Sequence, residues 1–139
     1  MATPPVFFDT HAHLDFPDFD SDRARVVDRA REVGIRGILC VGTDFVSSRK
    51  ALEICREHEG IGAVAGWHPN HVLEAPEDIR AELMELARDP RVVAIGETGL
   101  DYYRMPSQQA GGTVEEDEIF KRKQASIFEQ QLEVAADFK

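Results

Sequence analysis

Four short apolar runs punctuate the chain, and after each the apolar positions return every three or four residues. Val6, Phe7 and Phe8 form the first run, and the pattern predicts a strand over residues 6–10. An unbroken apolar run of this length reads as a strand buried on both faces. Residues 37–41, 61–65 and 92–95 are three further runs of the same kind. Between the first two, Ala24, Val26, Val27, Ala30 and Val33 lie at helical spacing. This predicts a helix over residues 22–33, capped by the turn at 18–21 and closed by Gly34. A second helix is predicted over residues 47–58, with Ala51, Leu52, Ile54 and Cys55 inward and Gly60 after its end. Pro76 suits the first position of a third helix, whose buried face is Ile79, Leu83, Leu86 and Ala87 and which Asp89-Pro90 ends. Strands alternating with helices predict an α/β fold with a parallel sheet and right-handed crossovers.

Residues 104–113 break this rhythm with a polar, glycine-containing loop. Thr113 and Glu116 have the spacing of a capping box, so a fourth helix is expected from Val114. Its inward stripe reads Ile119/Phe120, Lys123/Gln124, Ile127/Phe128, Gln131/Leu132 and Ala135. The acidic run 115–118 falls in the first turn, where it complements the helix dipole as a solvated face. Lys121, Arg122 and Lys123 read as a small surface cluster.

Charge and composition narrow the functional classes. A net charge of −10 on 139 residues argues against a general nucleic-acid surface, so any contact with phosphate must be local. No apolar run approaches a membrane span, and the N-terminus lacks the features of a signal peptide, so the cytoplasm is the default location. Cys40 and Cys55 lack metal-ligand spacing and read as reduced core residues.

The chemistry gathers where the apolar runs end. His11 and His13 stand at i, i+2 on an extended segment, which points both imidazoles to one side. Imidazole is a good ligand for divalent transition metals, and the flanking Asp9 and Asp15 are placed to orient the rings. His68 follows the third run, and Glu97 and Asp101 follow the fourth. Barrel and open α/β enzymes build their sites at these strand ends.

Three strings together carry a resemblance. FFDTHAHLD at residues 7–15, GWHP at 66–69 and IGETGLDYY at 95–103 resemble, in order and position, the TatD family of metal-dependent hydrolases. That family lies within the amidohydrolase superfamily of (β/α)8 barrels. The resemblance implies that His11, His13 and Glu97 are metal ligands, with Glu97 bridging two divalent ions (Mg, Mn or Zn). It places Asp101 beside the metals, positioning a water or holding its loop. His68 becomes a contact for substrate phosphate or a residue that orients a ligand, and Tyr103 and Arg104 become substrate contacts, since an aromatic ring and a guanidinium suit base stacking and phosphate pairing. Trp67 reads as core, His71 as a loop residue and His58 as a complement to its helix dipole. Thr43 and Asp44 read as caps for the second helix.

A (β/α)8 barrel needs about 250 residues, so the expected fold is the first four βα units of such a barrel, a single partial domain over residues 1–139 with a loop insertion at about 104–113. The family's further ligands, a histidine after each of the fifth and sixth strands and an aspartate after the eighth, have no counterpart here. The expected function is a deoxyribonuclease acting with divalent ions on single-stranded DNA ends. The alternatives are a deacylase or esterase, for example on aminoacyl-tRNA, or an inactive half-barrel. Self-association is expected of an unclosed sheet.

Overall fold

The computed structural model describes residues 5–138. The segment read above for a signal peptide falls largely on residues 1–4, outside that range, as does residue 139. Four strands form one parallel sheet: β1 (Phe7–Ala12), β2 (Ile35–Val41), β3 (Ile61–Ala65) and β4 (Val92–Ile95), side by side in chain order. Parallel neighbours require crossovers. Helices α1 (Arg23–Glu32), α2 (Phe45–Glu57) and α3 (Arg80–Ala87) supply them, and α4 (Val114–Asp137) follows β4.

The core lies on one side of the sheet. Ile38 and Cys40 of β2 and Ile61, Ala63 and Ala65 of β3 pack with Val27, Leu52, Leu83 and Ile127 from the four helices. The alternate strand positions Phe8, Leu39, Gly62 and Val93 instead line an open hollow of about 560 Å³. For β1 and β4 the expectation of strands buried on both faces is thus corrected, while β3 is buried at every position but Gly62. Phe8 is 70 % exposed, and all of β1 except Ala12 is exposed. Among the described residues, helices cover only one face, and β1 at the sheet edge has β2 as its single strand neighbour.

Helix boundaries follow local chemistry. Gly34, with φ +97°, lets the chain turn out of α1 into β2. Asp44 caps α2 and shares a capping box with Ser47. Thr113 and Glu116 form the box expected at the start of α4. The third helix opens at Arg80 rather than Pro76. Asp78 Oδ1 accepts the amide of Arg80, and Gln130 Oε1 accepts the amide of Ile79, so the preceding segment is held outside the helix.

The buried seam of α4 also differs from the apolar stripe. It runs through Asp117, Phe120, Gln124, Ile127, Gln131 and Val134, alternating three- and four-residue steps, while Ile119 and Leu132 are exposed. Asp117 is not part of a solvated acidic face. Its carboxylate accepts from Ser107 N at 2.8 Å and Ser107 Oγ at 2.6 Å, which holds the loop after β4. Those bonds keep its pKa below the usual carboxylate value. Lys121 and Lys123 pair with Glu118 and Glu77 at the surface.

Candidate metal centre

The carboxyl ends of β2, β3 and β4 meet the end of β1 in a rim knitted by main-chain bonds. Gly42 N donates to Val64 O, Gly96 N to Ala65 O, Glu97 N to Gly42 O and His68 N to Thr43 O, all at 2.9–3.1 Å. The Gly96–Glu97 peptide is cis. Glycine is required at position 66 by close approach. A Cβ there would lie 2.4 Å from Gly96 O and 2.6 Å from Gln131 Oε1.

Three donors converge on this rim. His11 Nε2 and His13 Nε2 are 3.2 Å apart, and Glu97 Oε2 lies 3.4 Å from the first and 3.9 Å from the second. All three donor atoms fall within 4.8 Å of one another. The tautomer of His13 follows from its partner. Nδ1 lies 2.8 Å from Val41 O, and a carbonyl can only accept, so the proton sits on Nδ1 and Nε2 keeps its lone pair for a metal. The ring also stacks on Phe16 at 4.8 Å. Two imidazole nitrogens and a carboxylate oxygen suit a divalent transition ion and leave coordination positions open.

The aspartates expected to orient these rings do something else. Asp9 accepts the main-chain amide of His11, and Asp15 faces the Cys40 thiol at 3.8 Å. Burial raises the pKa of Asp15 and pushes the Cys40 thiol to about 12, which leaves that sulfur an inert core group. Cys55 is likewise buried, with its thiol pushed to about 11 by burial.

His68 completes the geometry. Its Nδ1 accepts from Asn70 N at 3.0 Å, so the neutral ring carries its proton on Nε2, 3.2 Å from Glu97 Oε1. Burial holds its pKa below the ordinary imidazole value, against the pull of the Glu97 carboxylate. Asp101 uses both carboxylate oxygens locally: Oδ1 accepts from Tyr103 N and Oδ2 from Asn70 Nδ2. Those two bonds, the main-chain one foremost, lower its pKa.

Tyr103 stands 82 % exposed. Arg104 lines a groove of about 750 Å³ with Asn70, His71, Gln109 and Phe120. Trp67 is buried against Phe45 and donates its indole N–H to His71 O. His58 is the C-terminal cap of α2. Thr43 lends its carbonyl to His68 and its amide to Ser47 Oγ, so it serves the helix start and the rim together. Sequence reasoning missed Asn70, which links the His68 loop to Asp101, and, although it set Gln124 and Gln131 on the inward stripe of α4, it missed what they hold. The signal available for Gln124 and Gln131 was their spacing, each four residues after one apolar seam position and three before the next.

Comparisons with known proteins agree with this geometry. A family model described as TatD related DNase matches residues 8–139. The 3'-5' ssDNA/RNA exonuclease TatD of Erwinia amylovora is 45% identical over 102 residues, which cover 73% of this chain and 39% of that protein. The metal-dependent hydrolase YabD of Bacillus subtilis is 40% identical over 98 residues, covering 70% and 38%. Among solved structures, the TatD homologue YJJV of Escherichia coli K12 superposes with a TM-score of 0.75 at 28% identity, covering 95% of this chain and 47% of its own. A TatD-family hydrolase from Entamoeba histolytica, at 24% identity and a TM-score of 0.78, shares the fold. The chain spans less than half the length of each of these relatives. With the family model matched along nearly its whole length and the two histidines and the glutamate of the recognised strings brought to one point, the chain belongs to the TatD family of metal-dependent hydrolases.

Proposed function

We propose that the chain carries the first four βα units of an eight-unit barrel, and with them the first part of a two-cation site that hydrolyses nucleic-acid phosphodiesters in the cytoplasm. Single-stranded DNA ends are the proposed substrate. The observation that carries this reading is the convergence of His11, His13 and Glu97 within 4.8 Å at the strand ends. Relatives named as 3'-5' ssDNA/RNA exonucleases support the substrate class.

A divalent ion held here would supply Lewis-acid chemistry, lowering the pKa of a bound water and polarising a phosphoryl oxygen. His11, His13 and Glu97 would hold a divalent ion, each offering one donor atom from the strand ends. His68 steadies the Glu97 carboxylate through its Nε2 proton. Asp101, with both oxygens engaged, holds the loop that presents Tyr103 and Arg104. Exposed Tyr103 offers a face for base stacking, and Arg104, in the groove beside it, offers its guanidinium to a phosphate. These local contacts let a chain of net charge −10 meet a polyanion.

The test is cation binding and hydrolysis of a labelled single-stranded oligonucleotide, beside a duplex and an acyl ester. The mass in solution is measured in the same sample to show whether self-association accompanies turnover. The expected result is cation binding that falls on the order of 100-fold or more in His11→Ala, with any turnover confined to the single strand and abolished by chelation. Cation affinity unchanged in His11→Ala, or turnover indifferent to chelation, would overturn the proposal.

A further inference from the structure

Two buried glutamines of α4 grip the backbone on both sides of His68. Gln131 is 1 % exposed, and its Oε1 accepts from Trp67 N at 2.8 Å while its Nε2 donates to Trp67 O at 3.1 Å. Gln124 is 0 % exposed, and its Nε2 donates to Pro69 O at 3.1 Å. The same amide crosses to the next loop, where Nε2 donates to Asp101 O and Oε1 accepts from Asp101 N, both at 2.9 Å. Pro69 has no N–H, so its carbonyl is the only main-chain group through which that residue can be held. The residue between the two grips, His68, has its own amide fixed to Thr43 O and its Nε2 set against Glu97 Oε1.

Every polar atom of the two amides has a partner, and each partner allows only one orientation. N–H groups face Oε1 and carbonyls face Nε2, so neither side chain can flip without burying like against like. The absence of a side chain at Gly66 gives Gln131 Oε1 its space. A helix needing only to cover the sheet would bring apolar residues to these seam positions, as it does with Phe120, Ile127 and Val134. A buried amide is unfavourable unless each of its polar atoms is matched, so its use here points to a demand for position rather than cohesion.

We infer that Gln124 and Gln131 are positioning residues, which set the His68–Glu97 contact and thereby the orientation of the Glu97 carboxylate toward a cation. The inference rests on the reading that His11, His13 and Glu97 bind that cation. Gln131→Glu keeps the shape but sets an oxygen against Trp67 O. Gln131→Met and Gln124→Met keep the volume and remove the grip. Ile127→Ala, on the same seam, is the control for simple loss of cohesion.

Two readouts are needed on each full chain, with folding checked by its amide spectrum. The first is cobalt(II) affinity with the visible band of the bound ion. The second, without metal, is the imidazole nitrogen spectrum of His68 at a pH where the ring is neutral. Positioning predicts about 10- to 100-fold weaker cobalt binding with an altered band in the glutamine variants, and affinity within about twofold of wild type in Ile127→Ala. It also predicts that His68 leaves its single Nε2–H tautomer in the glutamine variants alone. Glutamine variants that lose stability like Ile127→Ala yet keep the wild-type cobalt affinity and a fixed tautomer would overturn the inference. Wild-type protein that binds no cobalt would instead overturn the cation reading, and the tautomer measurement would still decide the role of the glutamines.

Discussion

The candidate centre has two unequal sides. His11 and His13 come from β1 and its end, an edge element with exposed faces, pinned at the rim by the bond from His13 to Val41 O. His68 and Glu97 follow β3 and β4, whose ends are cross-tied by main-chain bonds and gripped from behind by α4. One side is held by the fold, whereas the other gains most from whatever bridges the two. A cation shared by His11, His13 and Glu97 would supply that bridge, so binding and the local stability of β1 are linked quantities.

The largest effect on stability is expected from removing cohesion in the α4 seam while its amide grips are left in place. Ile127 is fully buried in the α4 seam, and Ile127→Ala should lower unfolding stability by about 2–5 kcal/mol in a denaturant titration. Next, the poorly held side can be sharpened. Manganese or zinc added to the chain should slow amide exchange in β1 by roughly the factor 1 + [metal]/Kd and leave β3 amides much less affected. Equal protection of both strands would remove the asymmetry.

The smallest effect concerns pH. Asp117 is held below its ordinary pKa by Ser107, so its contribution is present above the unfolded value near 3.8 and is lost as pH falls through the folded value. Ser107→Ala should therefore weaken stability at neutral pH slightly and flatten the acid limb of the stability curve, while leaving cation affinity unchanged. A steeper acid limb would contradict the sign.

The two sides were also unequally legible in the sequence. β3 and β4 stand where their apolar runs stand, and the capping box of Thr113 and Glu116 marks the start of α4, because these signals are local. The convergence of His11, His13 and Glu97 could be anticipated because each ends or follows an apolar run and because the strings that hold them resemble the TatD family's motifs. The start of α3 could not, since it is decided by Gln130 reaching Ile79 from 51 residues away. The exposure of β1 on both faces was hidden for a related reason: Val6, Phe7 and Phe8 are apolar whether or not anything covers them. Gln124 and Gln131 were legible as positions on a stripe but not in role. An amide on a helix reads as surface until the backbone it grips is known.

That grip has a consequence for how the rim can change. Gln124, Gln130 and Gln131 address main-chain atoms of Trp67, Pro69, Glu77, Ile79 and Asp101, never the side chains those residues carry. A loop anchored by its peptide groups can exchange its outward residues, Tyr103 and Arg104 among them, while its course is preserved. The α4 seam thus separates the course of the rim from the side chains it displays, and the outward residues can be replaced without redesigning the backbone that carries them.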